Sequence, residues 1–268
     1  MEKFSGKEIG RKDVIWNYLA TFLQIGSGVL LFPVILRMLP TETVGIWSIF
    51  TAITGLANLL DFGFTPSFTR NITYIFSGVG KLEKSGITIE KLNSHVNFDL
   101  LANTIRAMKW FYSRIAIFAF ILLITVGSFY LIQVLNKNFH GDKTQIYIAW
   151  ILFCFINTYN IYTFYYDSLM MGRGLIMKSK QFIIVSQLAY LLVSLVLILN
   201  GFGLISIVAG QACAVLIKRM LSNQYLFTSE FKNKLKEFKT DNFRDIVKII
   251  TPNSIKLGIT SIGAFLVL

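Results

Sequence analysis

The sequence predicts an all-α polytopic membrane protein: a six-helix transmembrane bundle followed by the start of a second bundle that repeats the first in parallel. Three observations predict it. Apolar residues make up 54% of the 268-residue chain and charged residues only 15%, and the mean hydropathy is +0.60. A soluble domain averages roughly 25% charged. The apolar residues gather into runs long enough to cross a bilayer, which takes about 20 helical residues. The cations fall between the runs and favour every second loop.

Six complete spans can be marked, at Val14–Leu36, Val44–Ser77, Trp110–Leu135, Ile146–Met171, Phe182–Asn200 and Gly203–Phe227. A seventh begins near Ile246 and is still apolar at Leu268, so the sequence is expected to stop inside a helix. The expected units are residues 1–226 as a six-helix bundle, 227–245 as an amphipathic cytoplasmic linker between bundles, and 246–268 as the first helix of an incomplete second bundle.

Lysine and arginine set the orientation. The N-terminal tail carries Lys3, Lys7, Arg11 and Lys12, and the second loop Lys81, Lys84, Lys91, Arg106 and Lys109. The fourth loop carries Arg173, Lys178 and Lys180, and the sixth Lys218, Arg219, Lys232, Lys234, Lys236, Lys239, Arg244 and Lys248. These twenty face only three on the other side, Arg37, Lys137 and Lys143. The positive-inside rule then puts the N-terminus in the cytoplasm. The first span is too long for a signal peptide and has no small-residue cleavage site, so the tail is expected to be retained. The net charge of +12 does not point to nucleic acid, because the cations sit in loops between spans. Cys154 and Cys213 both fall inside apolar segments and read as packed thiols rather than a disulfide framework.

In span one, Asn17 and Gln24 lie seven apart and share a face turned from lipid. Pro33 suits a kink or gate, and Arg37 an interfacial anchor. Span two holds the most informative residue, Asp61, within Asn58-Leu59-Leu60-Asp61-Phe62-Gly63-Phe64-Thr65-Pro66. A carboxylate at that depth costs several kcal/mol and normally has a task. Thr65-Pro66 is expected to free a carbonyl and bend the helix just inward of Asp61. Arg70, nine residues on, lies roughly 13 Å along the axis, too far for a direct pair. Asp61 is then either a proton or sodium site or a structural partner of a neighbouring helix; Arg70 either contacts phosphate or snorkels.

Asp99 to Trp110 reads as a surface helix leading into span three. In span four, Asn160, Thr163 and Asp167 fall on one stripe, among four tyrosines that either line a wet cavity or form an interfacial belt. Phe227, Phe231, Leu235 and Phe238 recur at helical spacing between lysines; the pattern fits an amphipathic helix lying on anionic headgroups, or a solvated linker. In span seven, Lys256 lies four residues after Pro252, and Pro252-Asn253 suggests a broken helix, a feature common near transport sites. An offset of 232 places Asp13 on Asp245, Val14 on Ile246 and Gly26 on Gly258, a faint parallel repeat.

Signatures of built-in chemistry are missing. There is no Gly-x-x-x-x-Gly-Lys-[Ser/Thr] phosphate loop, no His-Glu-x-x-His and no Gly-x-Ser-x-Gly, and His95 and His140 are lone loop residues. The expectation is a non-enzyme with no cofactor and no metal, driven by an ion gradient, a membrane potential or a substrate gradient.

Three stretches in order carry a resemblance: Arg11-Lys12-Asp13-Val14-Ile15-Trp16-Asn17-Tyr18, then Leu39-Pro40-Thr41-Glu42-Thr43-Val44-Gly45-Ile46-Trp47-Ser48, then Leu60-Asp61-Phe62-Gly63-Phe64-Thr65-Pro66-Ser67-Phe68-Thr69-Arg70. Ser168-Leu169-Met170-Met171-Gly172-Arg173-Gly174 adds a span-four exit. Together they resemble the polysaccharide-unit (O-antigen type) flippases of the multidrug/oligosaccharidyl-lipid/polysaccharide exporter superfamily. The resemblance covers most of the chain, and implies two six-helix bundles around a central cavity. It implies transfer of an undecaprenyl-diphosphate-linked oligosaccharide to the outer leaflet of the bacterial cytoplasmic (inner) membrane, as in lipopolysaccharide assembly. Arg70, Lys256 and Arg37 would attract the diphosphate, and Asp61 would bind a coupling ion. Asn17, Gln24, Asn58 and Asn160 would line the cavity. The expected partners are the lipid-linked oligosaccharide, membrane lipids and polysaccharide polymerase machinery. An ion-driven multidrug exporter of the same superfamily, or a membrane scaffold of glycan assembly, are the competing readings.

Overall fold

The computed structural model describes residues 10–83, 96–238 and 243–267, apart from the side chains of 57–58, 138, 236, 261–262 and 264–267. Every regular element among them is helical: α1 (Arg11–Met38), α2 (Thr41–Leu59), α3 (Phe64–Phe76), α4 (Phe98–Leu122), a π-helical turn (Leu123–Gly127), α5 (Ser128–Asn138), α6 (Lys143–Tyr162), α7 (Tyr165–Gly172), α8 (Ile176–Leu199), α9 (Leu204–Leu226), α10 (Ser229–Lys236) and α11 (Phe243–Val267). Five stretches among the described residues are long and apolar enough to cross a membrane: Arg11–Met38, Phe98–Lys137, Lys143–Gly172, Ile176–Leu199 and Leu204–Leu226. They coincide with predicted spans one, three, four, five and six. The chain is an all-helical, multi-pass membrane protein.

Span two departs from expectation. It is two helices separated by Leu60–Gly63, not one helix bent at Pro66. Phe62 (φ 46°) and Gly63 (φ 71°) both take left-handed backbone, which a continuous right-handed helix cannot absorb. The Asp61 side chain fills the role of a cap, accepting from the Thr65 backbone N–H at 3.1 Å. Pro66 falls in the first turn of α3, where its missing N–H has no helical partner to lose, so it bends nothing.

Other expectations also change. Asp99 to Trp110 is not a surface helix but the inner half of α4, with Leu101, Ala102, Thr104, Ala107 and Met108 buried. The linker helix is shorter than its pattern suggested. In α10, Phe231 is fully buried against Phe98 and Phe227, so part of its apolar face meets the bundle rather than lipid; Phe238 is left exposed. α11 runs unbroken through Pro252. It packs on α3 and α4, whereas α1 packs on α8. The two glycines aligned by the proposed repeat differ accordingly: a Cβ on Gly26 would meet nothing within 4 Å, and one on Gly258 would lie 2.7 Å from the Phe62 ring.

Two apolar cores hold the ends of the bundle. Phe68, Ile72, Ile75, Leu101, Met108, Leu169, Leu226, Phe231 and Ile250 form one, at the end where α1, α4, α8 and α11 begin. Leu31, Ile35, Phe50, Leu135, Trp150, Phe153 and Ile207 form the other. Among the described residues, Arg106, Lys109, Arg173 and Lys234 lie over rings of the first core or rings packed on it. Both cysteines are free.

Candidate functional site

Five helices line an open cavity of ≈ 400 Å³. α8 contributes Ile183, Ser186, Gln187 and Tyr190, and α9 contributes Ile207, Gln211, Ala214, Val215 and Lys218. Each set follows the three-and-four spacing of one helical face. α1 adds Gln24, α2 adds Trp47, Thr51 and Thr54, and α6 adds Asn160. The wall is thus mainly apolar, from Ile183, Ile207, Ala214, Val215 and two large aromatics, and is set with amides, hydroxyls and a single ammonium. Gln187 Nε2 donates to Ser27 Oγ and ties α8 to α1 beside the cavity.

A charged cluster lies next to it. Asp167 of α7 accepts from Lys218 Nζ at 2.9 Å on one oxygen and from Arg219 Nη1 at 2.8 Å on the other. Arg219 Nη2 also donates to Asn160 Oδ1 at 3.0 Å. Arg219 is 2% exposed, and its Nε has no hydrogen-bond partner. One carboxylate against two cations leaves the cluster formally positive. Desolvating three charges is expensive and needs close pairing to be offset. Thr163 and Phe164 interrupt the helix, and Thr163 N–H donates to the carbonyls of Tyr159 and Asn160. Asn160 and Asp167, seven residues apart, stay on one side across that break, and both meet the Arg219 guanidinium. Consecutive positions on α9 then divide the labour: Lys218 reaches the cavity wall, and Arg219 turns into the α6–α7 contact.

The tyrosines of span four do not line this cavity. Tyr165 and Tyr166 stack on each other at 4.3 Å and are buried, while Tyr159 and Tyr162 point outward.

The structure brings together two of the predicted cavity residues, Gln24 and Asn160. Asn17 is half-buried outside the cavity, its carbonyl taken by the Thr21 hydroxyl. Asn58 belongs to α2, and its side chain lies outside the described residues. Asp61 accepts from Thr65 N–H, from Thr65 Oγ1 at 2.7 Å and from Tyr112 OH at 3.0 Å. Arg37, Arg70 and Lys256 are exposed, on α1, α3 and α11, and none is among the cavity residues. His95 lies outside the described residues, and His140 is not alone: it pairs with Glu42.

Sequence reasoning placed Lys218 and Arg219 among loop cations. The available signal was their position, eight and nine residues before the end of an apolar run, where a cation cannot easily reach water. No family model matches the chain, and neither a curated protein nor a solved structure matches it.

Proposed function

We propose that the chain works as a flippase that moves a polyprenyl-diphosphate-linked oligosaccharide unit from the cytoplasmic to the outer leaflet by alternating access, for surface polysaccharide assembly. The observation that carries this reading is the positive Asp167–Lys218–Arg219 cluster opening, through Lys218, onto a cavity whose mainly apolar wall carries a set of amides and hydroxyls. A diphosphate calls for a cation. Sugar hydroxyls call for amide and hydroxyl partners, and the flat faces of Trp47 and Tyr190 give a pyranose ring something to lie against. Intramembrane ionisable groups that face a polar cavity mark transport paths more often than packing. Arg70, Lys256 and Arg37 are exposed and so accessible to a diphosphate on its way to or from the bundle. The positive-inside rule would put the cation-rich end in the cytoplasm, where such a lipid is loaded. The cargo, bulk membrane lipid and a polysaccharide polymerase are the partners this activity implies.

A cationic drug as cargo would want carboxylates in the wall, and the cavity's one charged lining residue is Lys218. The test is to replace Lys218 with Gln and Gln211 with Ala in the native host and follow surface glycan and protein level together. The flippase reading expects glycan display to fall while protein level holds and dye efflux is unchanged. Normal glycan with altered efflux of cationic dyes would mean a drug exporter. Indifference of both readouts would leave a scaffold role.

A further inference from the structure

Two amides in the cavity wall are pinned, and their partners decide which end of each meets the cavity. A guanidinium only donates, so the bond from Arg219 Nη2 at 3.0 Å fixes Oδ1 of Asn160 on the Arg219 side. Arg219 is 2% exposed and Asn160 lines the cavity, so the other end of that amide, Nδ2, faces the cavity. Arg219 also holds one oxygen of Asp167 at 2.8 Å, while Lys218 donates to the other at 2.9 Å. The remaining N–H groups of Lys218 and the Asn160 Nδ2 make the α6–α9 side of the wall a donor face. On the α1–α8 side the polarity is reversed. Ser27 Oγ gives its hydrogen to the Gln24 carbonyl at 2.9 Å, so it accepts from Gln187. Gln187 therefore turns Nε2 to α1 and leaves Oε1, an acceptor, for the cavity. Gln211 shares the Lys218 face of α9, seven residues earlier, and its amide is not pinned by any of these bonds.

We propose that Arg219 is a positioning residue that sets the polarity of this wall, so that the cavity takes a hexose bearing an anionic substituent, with the anion on the α6–α9 side and a hydroxyl donating to Gln187. An anion offers only acceptors and matches a face that offers only donors. The cluster behind that face holds one carboxylate against two cations, so an anion also balances its charge. A sugar hydroxyl has a hydrogen to give, and Gln187 Oε1 takes it. An amino hexose would set a cation against Lys218 and is rejected. Arg219 touches no ligand; it acts through Asn160 and through the Asp167 it shares with Lys218. The anion is a sugar phosphate or a sugar carboxylate, which share this chemistry. The sugar rests on the function proposed above; the polarity of the wall does not.

The experiment uses the full chain in a sugar-free detergent and measures binding of glucose 1-phosphate, glucuronate, glucose and glucosamine by saturation-transfer NMR. The wild type is expected to bind at least one of the two anionic sugars about tenfold more tightly than glucose, with glucosamine weakest. The tighter of the two names the anion. Asn160→Asp keeps an oxygen for Arg219 but turns a carboxylate oxygen to the cavity, so the preference should shift to glucosamine with no loss in Tm. Gln187→Met should weaken all four sugars and keep their order. Arg219→Lys keeps a charge on Asp167 but cannot also hold Asn160, so the ratio of anionic sugar to glucose should fall. A merely structural Arg219 would lower the fraction of folded protein and leave that ratio alone. An unchanged ratio in Arg219→Lys, or an unchanged order in Asn160→Asp, overturns the positioning role. Equal binding of all four sugars by the wild type, which needs no variant to fold, overturns the polarity and leaves a sugar cavity standing. Binding of none of them, with normal surface glycan in Lys218→Gln, overturns the cargo cavity as well.

Discussion

Arg219 Nη1 and Asp167 Oδ2 lie 2.8 Å apart across the α7–α9 contact, with Arg219 2% exposed. The pair joins two elements that the sequence separates by a break and a whole intervening span, and Lys218 shares the same carboxylate. Removing the carboxylate from such a cluster is costly because it strands both cations, whereas removing Lys218 leaves Asp167 paired with Arg219. Asp167→Asn should destabilise the fold by about 3–5 kcal/mol. For a chain of this size that is a fall in Tm of roughly 6–20 °C. The triple change Asp167→Leu, Lys218→Met and Arg219→Met should recover most of the loss, since no buried charge is left alone. Thermal unfolding in detergent reads both. Additive losses in the triple variant would show that the three groups are not one unit.

Gly63 is the second place where one atom matters. It takes φ 71°, and a Cβ there would lie 2.7 Å from Leu257 Cβ and 2.9 Å from the Gly258 backbone nitrogen. Gly63→Ala combines backbone strain with a clash that α11 cannot sidestep. The expected cost is about 2–3 kcal/mol. Gly258→Ala should behave similarly, because its Cβ would meet Phe62 at 2.7 Å. Gly26→Ala has open space and should be neutral or slightly stabilising. Unfolding of the three variants side by side separates close approach from helix propensity. A Gly63→Ala protein as stable as the wild type would mean that α11 does not dock there.

Much of this fold was legible in the sequence, and the reason is physical. A lipid core forces long apolar runs and leaves cations at the ends, so spans one and three to six could be marked from composition alone. Leu60–Gly63 was harder. Pro66 drew the eye as the breaker, yet Phe62 and Gly63 carry the left-handed turn. α4 hid its buried half because Arg106 and Lys109 made that segment look like a surface helix. At the site, Gln24 and Asn160 were legible as polar residues on faces turned from lipid. Lys218 and Arg219 were missed: their depth in the apolar run was a signal, but their carboxylate partner, Asp167, comes from another span and only the fold brings it to them.

Glu42 and His140 make a contact at the opposite end. The Glu42 carboxylate accepts from the His140 backbone N–H at 2.9 Å, and its other oxygen lies 3.2 Å from the imidazole Nδ1. The backbone hydrogen bond, and then the side-chain one, hold Glu42 below its ordinary value of 4.5. A depressed carboxylate contributes stability above its unfolded pKa and loses it as pH falls through the folded value. Stability from this contact should therefore be complete at neutral pH and fade below about pH 4.5. Glu42→Ala should lower Tm at pH 7 and converge with the wild type near pH 3. A constant difference across that range would assign the effect to packing instead.

Asp61 is surrounded by donors. Its oxygens accept from Thr65 N–H and Thr65 Oγ1 on α3 and from Tyr112 OH on α4, while Ser168 Oγ of α7 donates to the Thr65 carbonyl at 3.3 Å. These bonds lock the α2–α3 break against α4 and α7. They give Asp61 the geometry of a helix cap placed at depth, and they make the cap and the expected coupling role separable. Asp61→Asn keeps one acceptor and should cost about 1 kcal/mol; Asp61→Ala removes both and should cost up to ~2 kcal/mol. Tyr112→Phe removes one donor and should cost about 1 kcal/mol, with less than additive loss when combined with Asp61→Ala. Transport measured in vesicles with and without an imposed ion gradient provides the other axis. A cap predicts that Asp61→Asn keeps the wild-type gradient dependence and loses activity only in step with stability. Gradient dependence abolished in a variant of full stability would make Asp61 the ion-coupling group, with its hydrogen bonds broken and remade during each cycle.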